Sequence, residues 1–254
     1  MDSRGAMRLE LTAAMAGPGR GREAADRLCG ACVSLLDVDG AALSVIYDGA
    51  ISRSLGSSSS VSRELDELQF TLGEGPCLDA VRSAAPVLIP DLNDPAMQRW
   101  PGFARAATQR GVRAVFALPV AVASLPIGAL DLYRTRTGDL ADSVLAGGLI
   151  AAELAALPLL DLMDLDLQAA VSDQDSDAWE QLSSLTRLEV YQAAGILIAQ
   201  LGVTPSEALV RLRAHAFAHN RTASEVALDI IEHRLRLPDD STDDPTPAED
   251  GDYR

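Results

Sequence analysis

Lysine is absent. All 21 basic residues of the 254-residue chain are Arg, and 37 Asp and Glu outnumber them for a formal net charge of −16. A chain of that sign excludes capture of nucleic acid by a general positive field. Arg forks suit bidentate phosphate contacts, but an Arg-only set is read first as codon bias of the genome. Cysteine is scarce as well: three residues, an odd number, argue against a disulfide framework. All three His lie beyond residue 214, which leaves no Ser-His-Asp arrangement. No apolar stretch approaches the roughly 18–20 residues of a membrane span, and the N-terminus lacks a basic-then-apolar signal layout. The expectation is a cytoplasmic protein without membrane contact, long enough for two modest domains.

The charge that is present is unevenly placed. From Trp179 to Leu237 six acids face six Arg, so that segment is neutral, while the tail from Pro238 to Arg254 holds seven acids against one Arg. The negative excess therefore sits outside the segment from 179 to 237. That segment reads as three short helices with written start signals. Thr204-Pro205-Ser206-Glu207 and Thr222-Ala223-Ser224-Glu225 are both capping boxes, each with a hydroxyl at the N-cap and Glu three residues on. They bracket a helix expected from Pro205 to His219. Its apolar residues form two stripes, Leu209-Leu212-Ala216 and Val210-Ala214-Phe217. The helix before it is apolar nearly all round from Val190 to Leu201, so it is expected to be covered on several sides. About 55 residues make a marginal core alone, and help from a dimer or from the rest of the chain is expected.

Arg187, Gln192-Ala193-Ala194-Gly195-Ile196-Leu197, Ser206-Glu207-Ala208, Leu212-Arg213, Asn220 and Glu225-Val226-Ala227 together resemble the ANTAR family. The resemblance implies a three-helix output domain over 179–237 that binds RNA hairpins and prevents transcription termination. Carried over onto this chain, the RNA-binding candidates are Arg187, Tyr191, Gln192, Ala194, Gly195, Arg211, Arg213, Asn220 and Arg221. The family often carries Lys where Ala194 stands, so one expected phosphate contact is missing. Helical spacing puts Arg187, Tyr191 and Ala194 on one face, where Tyr191 either stacks on an unpaired base or packs in the core. The bland alternative for the arginines is a solvated face paired with Glu189, Glu207, Glu225 and Glu232.

The rest of the chain reads in order as a loose arm over 1–21, a helix from Arg22 to Leu36, and a hairpin of Ala41–Tyr47 and Ala50–Leu55 turned at Asp48-Gly49. A helix through Leu65 and Leu68 follows, and then the turn Gly73-Glu74-Gly75-Pro76-Cys77, which opens another helix at Pro76. Strands are expected around Val87-Leu88-Ile89, at Ala114–Val122 and at Ile127–Tyr133, with a helix between Phe103 and Arg110. The class is α+β with an antiparallel sheet and flanking helices, followed by the small all-α domain. The turn at 73–77, Asp91-Leu92, Trp100-Pro101, Gly111-Val112-Arg113-Ala114 and Gly128-Ala129-Leu130-Asp131-Leu132-Tyr133 resemble the GAF version found upstream of ANTAR domains in actinobacteria. That resemblance spans roughly residues 24–157 and implies a sensor domain, assigned to 22–140, with a pocket between sheet and helices, often dimeric through its flanking helices. The ligand does not carry over, because GAF domains bind unrelated molecules. Residues 141–178 are expected to be a helical linker and an acidic joint. Leu145, Leu149, Ala152, Ala156, Leu159 and Met163 alternate in steps of four and three as a seam for a homodimer, or else pack on the chain's own sheet.

Chemistry is sparse. Cys29-Gly30-Ala31-Cys32 puts two thiols on one helix face, which are read as small core hydrophobes or, less simply, as a cysteine-based sulfoxide reductase. With Cys77 alone elsewhere, a four-thiolate zinc site cannot be completed. Glu74 and Cys77 are the ligand-pocket candidates, Cys77 because the helix dipole at its N-terminus lowers a thiol pKa. The turn is no phosphate loop, since no Gly-Lys-Ser/Thr follows. Neither a resident cofactor nor a metal is expected. The partners expected are hairpin RNA, a second copy of the chain and an unidentified small effector, and a scaffold without RNA binding is the alternative.

Overall fold

A five-stranded sheet with helices against both of its faces builds the first unit of the chain. In this computed structural model residues 3–47, 50–95, 99–122, 124–161 and 187–238 are described. The hairpin turn at Asp48-Gly49, Met163 of the seam, the joint at Ser172 to Asp177 and the tail from 239 lie outside them. Contacts divide the chain into residues 1–188 and 189–254.

The strands are β1 (Gly40–Tyr47), β2 (Ala50–Ser57), β3 (Val87–Ile89), β4 (Ala114–Val122) and β5 (Leu125–Arg134). They lie in the order β2-β1-β5-β4-β3, with every neighbouring pair antiparallel. Register sets the two faces. Ala42 and Ala117 both stand opposite Asp131, while Leu43 and Leu118 stand opposite Leu130. Leu43, Phe116, Leu118, Leu130 and Leu132 point to one core, and Val115, Ala117 and Tyr133 to the other.

The first core is covered by α1 (Ser3–Met15), α2 (Arg22–Leu35) and α6 (Asp142–Leu154). The second is covered by α3 (Ser60–Leu72), α4 (Pro76–Ser83) and α5 (Pro101–Gln109). Two departures from the sequence reading have the same cause. The loose arm expected over 1–21 contains α1, whose Leu11 is fully buried with Met7 and Met15 against the same core. The helix assigned to the linker packs on the sheet through Ile150, Ala151, Ala152, Ala155 and Leu159. Gly147 and Gly148 let it lie directly against Leu36 and Leu118. The first unit thus runs past the boundary expected at 140. Residues 142–161 are also long and apolar enough to cross a membrane, contrary to the sequence reading, but their buried side faces this core.

In the second unit, α7 (Leu188–Leu201), α8 (Pro205–Ala218) and α9 (Ala223–Ile231) follow one another. Gly202, with φ 67°, ends α7, and α8 departs at a bend of 107°. Thr222 and Glu225 form the full reciprocal box, at 3.1 and 2.8 Å. At Thr204 only half of it exists: the hydroxyl accepts from the Glu207 amide, but the Glu207 carboxylate turns to Arg211 at 3.1 Å. An ion pair one turn on competes with the reach back to the cap.

The tightest meeting of helix and sheet is at Gly56, where an added Cβ would lie 2.6 Å from the Ala25 Cβ and 2.7 Å from its carbonyl carbon. Backbone cannot swing aside as a side-chain tip does. Gly56→Ala is therefore expected to destabilise the first unit by about 1–3 kcal/mol, read as a lower urea midpoint at an unchanged slope.

Candidate functional site

On the α3 side of the sheet a group of polar side chains is buried in one connected set. Asp66, 1% exposed, sits on the inward face of α3. One of its oxygens accepts from the Ser44 hydroxyl of β1 and the other from Arg187 Nη2 at 2.8 Å. Arg187 Nε donates to Glu67 at 3.0 Å, and its guanidinium carbon stands 4.1 Å above the Phe70 ring. Burial works against the Arg187 charge, but Asp66 and Glu67 outweigh it and raise its pKa above the ordinary arginine value. A second branch runs through Gln69. Its amide donates to Asp131 on β5, and its carbonyl accepts from the Cys77 N–H at 3.0 Å.

The glycine-rich turn exists to let this happen. Gly73, at φ 66°, ends α3 in the left-handed conformation, and Gly75, at φ 149°, leads into α4. A Cβ on Gly75 would lie 2.3 Å from the Gln69 carbonyl oxygen, so any other residue would push Gln69 off the Cys77 amide. Glu74, expected in a ligand pocket, accepts from the Phe103 N–H at 2.9 Å and so caps the start of α5 from a distance. Cys77 is fully buried, and burial followed by the nearby Asp131 and Asp66 pushes its thiol pKa up, overriding the helix dipole expected to lower it. Cys29 and Cys32 are buried too, Cys29 well above its ordinary value and Cys32 pushed up to about 12 by burial. Thiols held protonated are poor nucleophiles. Among the described residues no group of three His, Cys, Asp or Glu stands where it could hold a metal ion.

The candidates on the helical segment are scattered. Tyr191 is half exposed, and Gln192 and Gly195 are exposed beside it at helical spacing, with nothing over the Gly195 position. Ala194 is buried with Val190, Ala193 and Leu197, so the face drawn through Arg187, Tyr191 and Ala194 does not open to solvent as one surface. Arg187 itself is 6% exposed. Arg211 pairs with Glu207, and Arg221 with Asp229 at 2.7 Å. Arg213 is half buried. Asn220 takes φ 52° where the chain leaves α8, a conformation asparagine tolerates, so its backbone shape accounts for it before any contact does. On α8 the stripe Ala208-Leu212-Ala216 is buried, while Val210, Ala214 and Phe217 are exposed. His215 and His219 stack at 4.0 Å.

Ser44, Asp66, Glu67, Gln69 and Asp131 escaped the sequence reading. Their signal was a polar residue on the apolar face of an otherwise amphipathic helix, Asp66 and Gln69 beside Leu65 and Phe70, and a lone carboxylate in an apolar strand.

Comparison with known proteins follows the division into units. A family model described as GAF domain matches residues 22–157, and one described as ANTAR domain matches residues 181–231. No curated protein matches the sequence. The chain is similar to the GAF domain from an Acinetobacter phosphoenolpyruvate-protein phosphotransferase, at TM-score 0.53 and 8% identity, covering 66% of this chain and 99% of that one. It is similar as well to the GAF domain of a phosphoenolpyruvate-protein phosphotransferase from Coxiella burnetii, at TM-score 0.51 and 16% identity, over 66% and 97%. At such identities the likeness speaks for the fold alone.

Asp131 makes the buried set sensitive to pH. Burial pushes its carboxyl up to about 7; the Gln69 amide opposes the rise and the Asp66 carboxylate adds to it. The unfolded chain ionises this group near 3.8, the folded chain only near 7. As pH rises the unfolded state therefore loses its proton first, and stability present below about 3.8 is lost progressively up to about 7. Asp131→Asn keeps an acceptor for Gln69 and removes the titration. Urea unfolding of both proteins is expected to show the variant's advantage growing through that window and levelling off above it.

Proposed function

The chain belongs to the GAF domain family and carries an ANTAR domain in the same polypeptide, and on that footing we propose a signal-responsive regulator that binds hairpin RNA and antiterminates transcription under control of its GAF domain. GAF and ANTAR domains are parts of regulatory, signal-transducing proteins, and ANTAR domains bind RNA. The observation that carries the reading is the open patch Tyr191-Gln192-Gly195 inside the matched ANTAR segment. It offers a ring for stacking, an amide for base edges and a bare backbone for close approach. Arg213 and Arg221, both half exposed, supply cations on the same small unit.

A hairpin held in this way is withdrawn from pairing into a terminator, so polymerase reads on. Control is a shift of population: an effector that binds one state of the GAF unit more tightly moves the chain toward it, by no more than its difference in affinity for the two states. Because the target is a nascent transcript, the protein is cytoplasmic. No chemical step is involved.

Gel shifts with a two-hairpin leader RNA across salt concentrations test this. Binding is expected to weaken linearly on a log–log plot, Arg213→Ala to lower the slope by about 1, and Tyr191→Ala to cost roughly 1–3 kcal/mol. A shift that ignores salt and both substitutions rejects RNA recognition.

A scaffold that works as a homodimer is the second reading, favoured by the exposed stripe of Val210, Ala214 and Phe217 at 62%, open and 56% respectively. One copy's stripe covering another's would remove these side chains from water. Sedimentation is then expected to show a dimer that Phe217→Asp converts to monomer; an unchanged sedimentation profile removes this reading.

A further inference from the structure

Arg187 is held as a bound ligand is held. Asp66 and Glu67 each receive a different nitrogen of its fork, at 2.8 and 3.0 Å, and its central carbon stands 4.1 Å from the centre of the Phe70 ring. The surrounding side chains are already fixed by other bonds: Ser44 holds Asp66, and Gln69 bridges Asp131 to the Cys77 amide. Two carboxylates contacted by two nitrogens of one plane, over an aromatic face, select a planar fork rather than a point charge. An ammonium has three donors and reaches both carboxylates, but as a compact point charge it cannot place two nitrogens of one plane over the ring.

The tethered side chain fits imperfectly. Its Nη1, in a residue 6% exposed, has no hydrogen-bond partner, and neither has the Asp131 Oδ1, in a residue 7% exposed, among the described residues. A side chain fixed to a backbone cannot slide to satisfy such atoms; a free molecule can. Arg187 also lies within the ANTAR-matched segment, one residue before α7 begins. A guanidinium committed to Asp66 and Glu67 is withheld from phosphate.

We propose that the notch formed by Asp66, Glu67 and Phe70 on α3 is a guanidinium-binding site with Arg187 as its tethered occupant, and that the effector is a small molecule bearing a guanidinium or amidinium group that displaces it. This deepens the proposed function by naming the effector's chemistry. It rests on that reading only for the consequence at RNA, since the binding itself needs no RNA.

The test uses the full-length chain with Arg187→Ala, which empties the notch, and methylguanidinium as the probe. Millimolar probe at several times its dissociation constant is expected to raise the variant's thermal midpoint by roughly 2–4 °C. Methylammonium at equal ionic strength is expected not to, and adding Asp66→Asn is expected to abolish the rise. Equal response to both cations overturns the proposal, as does a response that survives Asp66→Asn. Arg187→Lys, which keeps a cation in the notch but not the fork, guards against a misfolded Arg187→Ala and is expected to respond in the same direction; silence in both variants also overturns it. A separate arm follows the wild-type protein's affinity for hairpin RNA, which the probe is expected to increase. If the thermal arm succeeds and only this arm fails, the RNA reading falls and the guanidinium site stands.

Discussion

A carboxylate removed from water must be given a partner, and on the α3 side of this sheet that requirement organises the neighbouring residues. Asp66 is 1% exposed, so its charge is tolerable only because Ser44 and Arg187 each take one of its oxygens. Removing one partner of a buried ion pair costs about 3–5 kcal/mol, because the other charge is left without compensation. Asp131, without a cation of its own, takes the other solution and keeps its proton up to about 7. One buried acid is paired and the next is neutralised. The bridge between β5 and α4 through Gln69 then dictates Gly75, since only a residue without a side chain leaves room for the amide.

Much of the first unit was legible because strands and turns are written locally. Ala114–Val122 was read to the residue, and the strand from Ile127 differed from β5 by two residues at its start and one at its end. The turn at 73–77 was read correctly as the opening of α4, yet its purpose was not, because the reason for Gly75 is the side chain of Gln69 six residues earlier in the chain. The role of Glu74 was hidden in the same way: it serves a helix that begins at Pro101. Helix ownership failed as well. The pattern over 142–161 suits a helix seam, a membrane span or a core helix equally, and only the presence of an apolar sheet face at Phe116, Leu118 and Leu132 decides for the core.

In the second unit, starts were legible and faces were not. Thr222 and Glu225 cap one another as their spacing requires, since both partners lie within a single turn. Val210 and Phe217, by contrast, satisfy helical spacing as well as Ala208 and Ala216 do, yet the first pair is exposed and the second buried. Periodicity shows that a stripe exists; which stripe is covered depends on where the next helix lies, and the 107° bend after Gly202 is set by backbone geometry that apolar spacing does not encode. Arg187, at the end of the first unit, is the sharpest instance. Its helical position relative to Tyr191 was read from the sequence, but the carboxylates that hold it stand about 120 positions earlier.

Those carboxylates also decide which molecule can move Arg187. A single charge-assisted contact with an RNA phosphate is worth about 1.5–3 kcal/mol, whereas taking Arg187 from the buried Asp66 removes one partner of a buried ion pair at a cost of about 3–5 kcal/mol. Phosphate alone therefore loses the competition for this side chain. In the proposed exchange a replacement cation reverses it, because Asp66 then keeps a cationic partner throughout. In the proposed reading, RNA recognition by the resting chain begins elsewhere, at the open Tyr191-Gln192-Gly195 patch, with Arg187 joining only after exchange. Under the proposed function, one guanidinium with two mutually exclusive sets of acceptors is sufficient to couple an effector to a bound transcript.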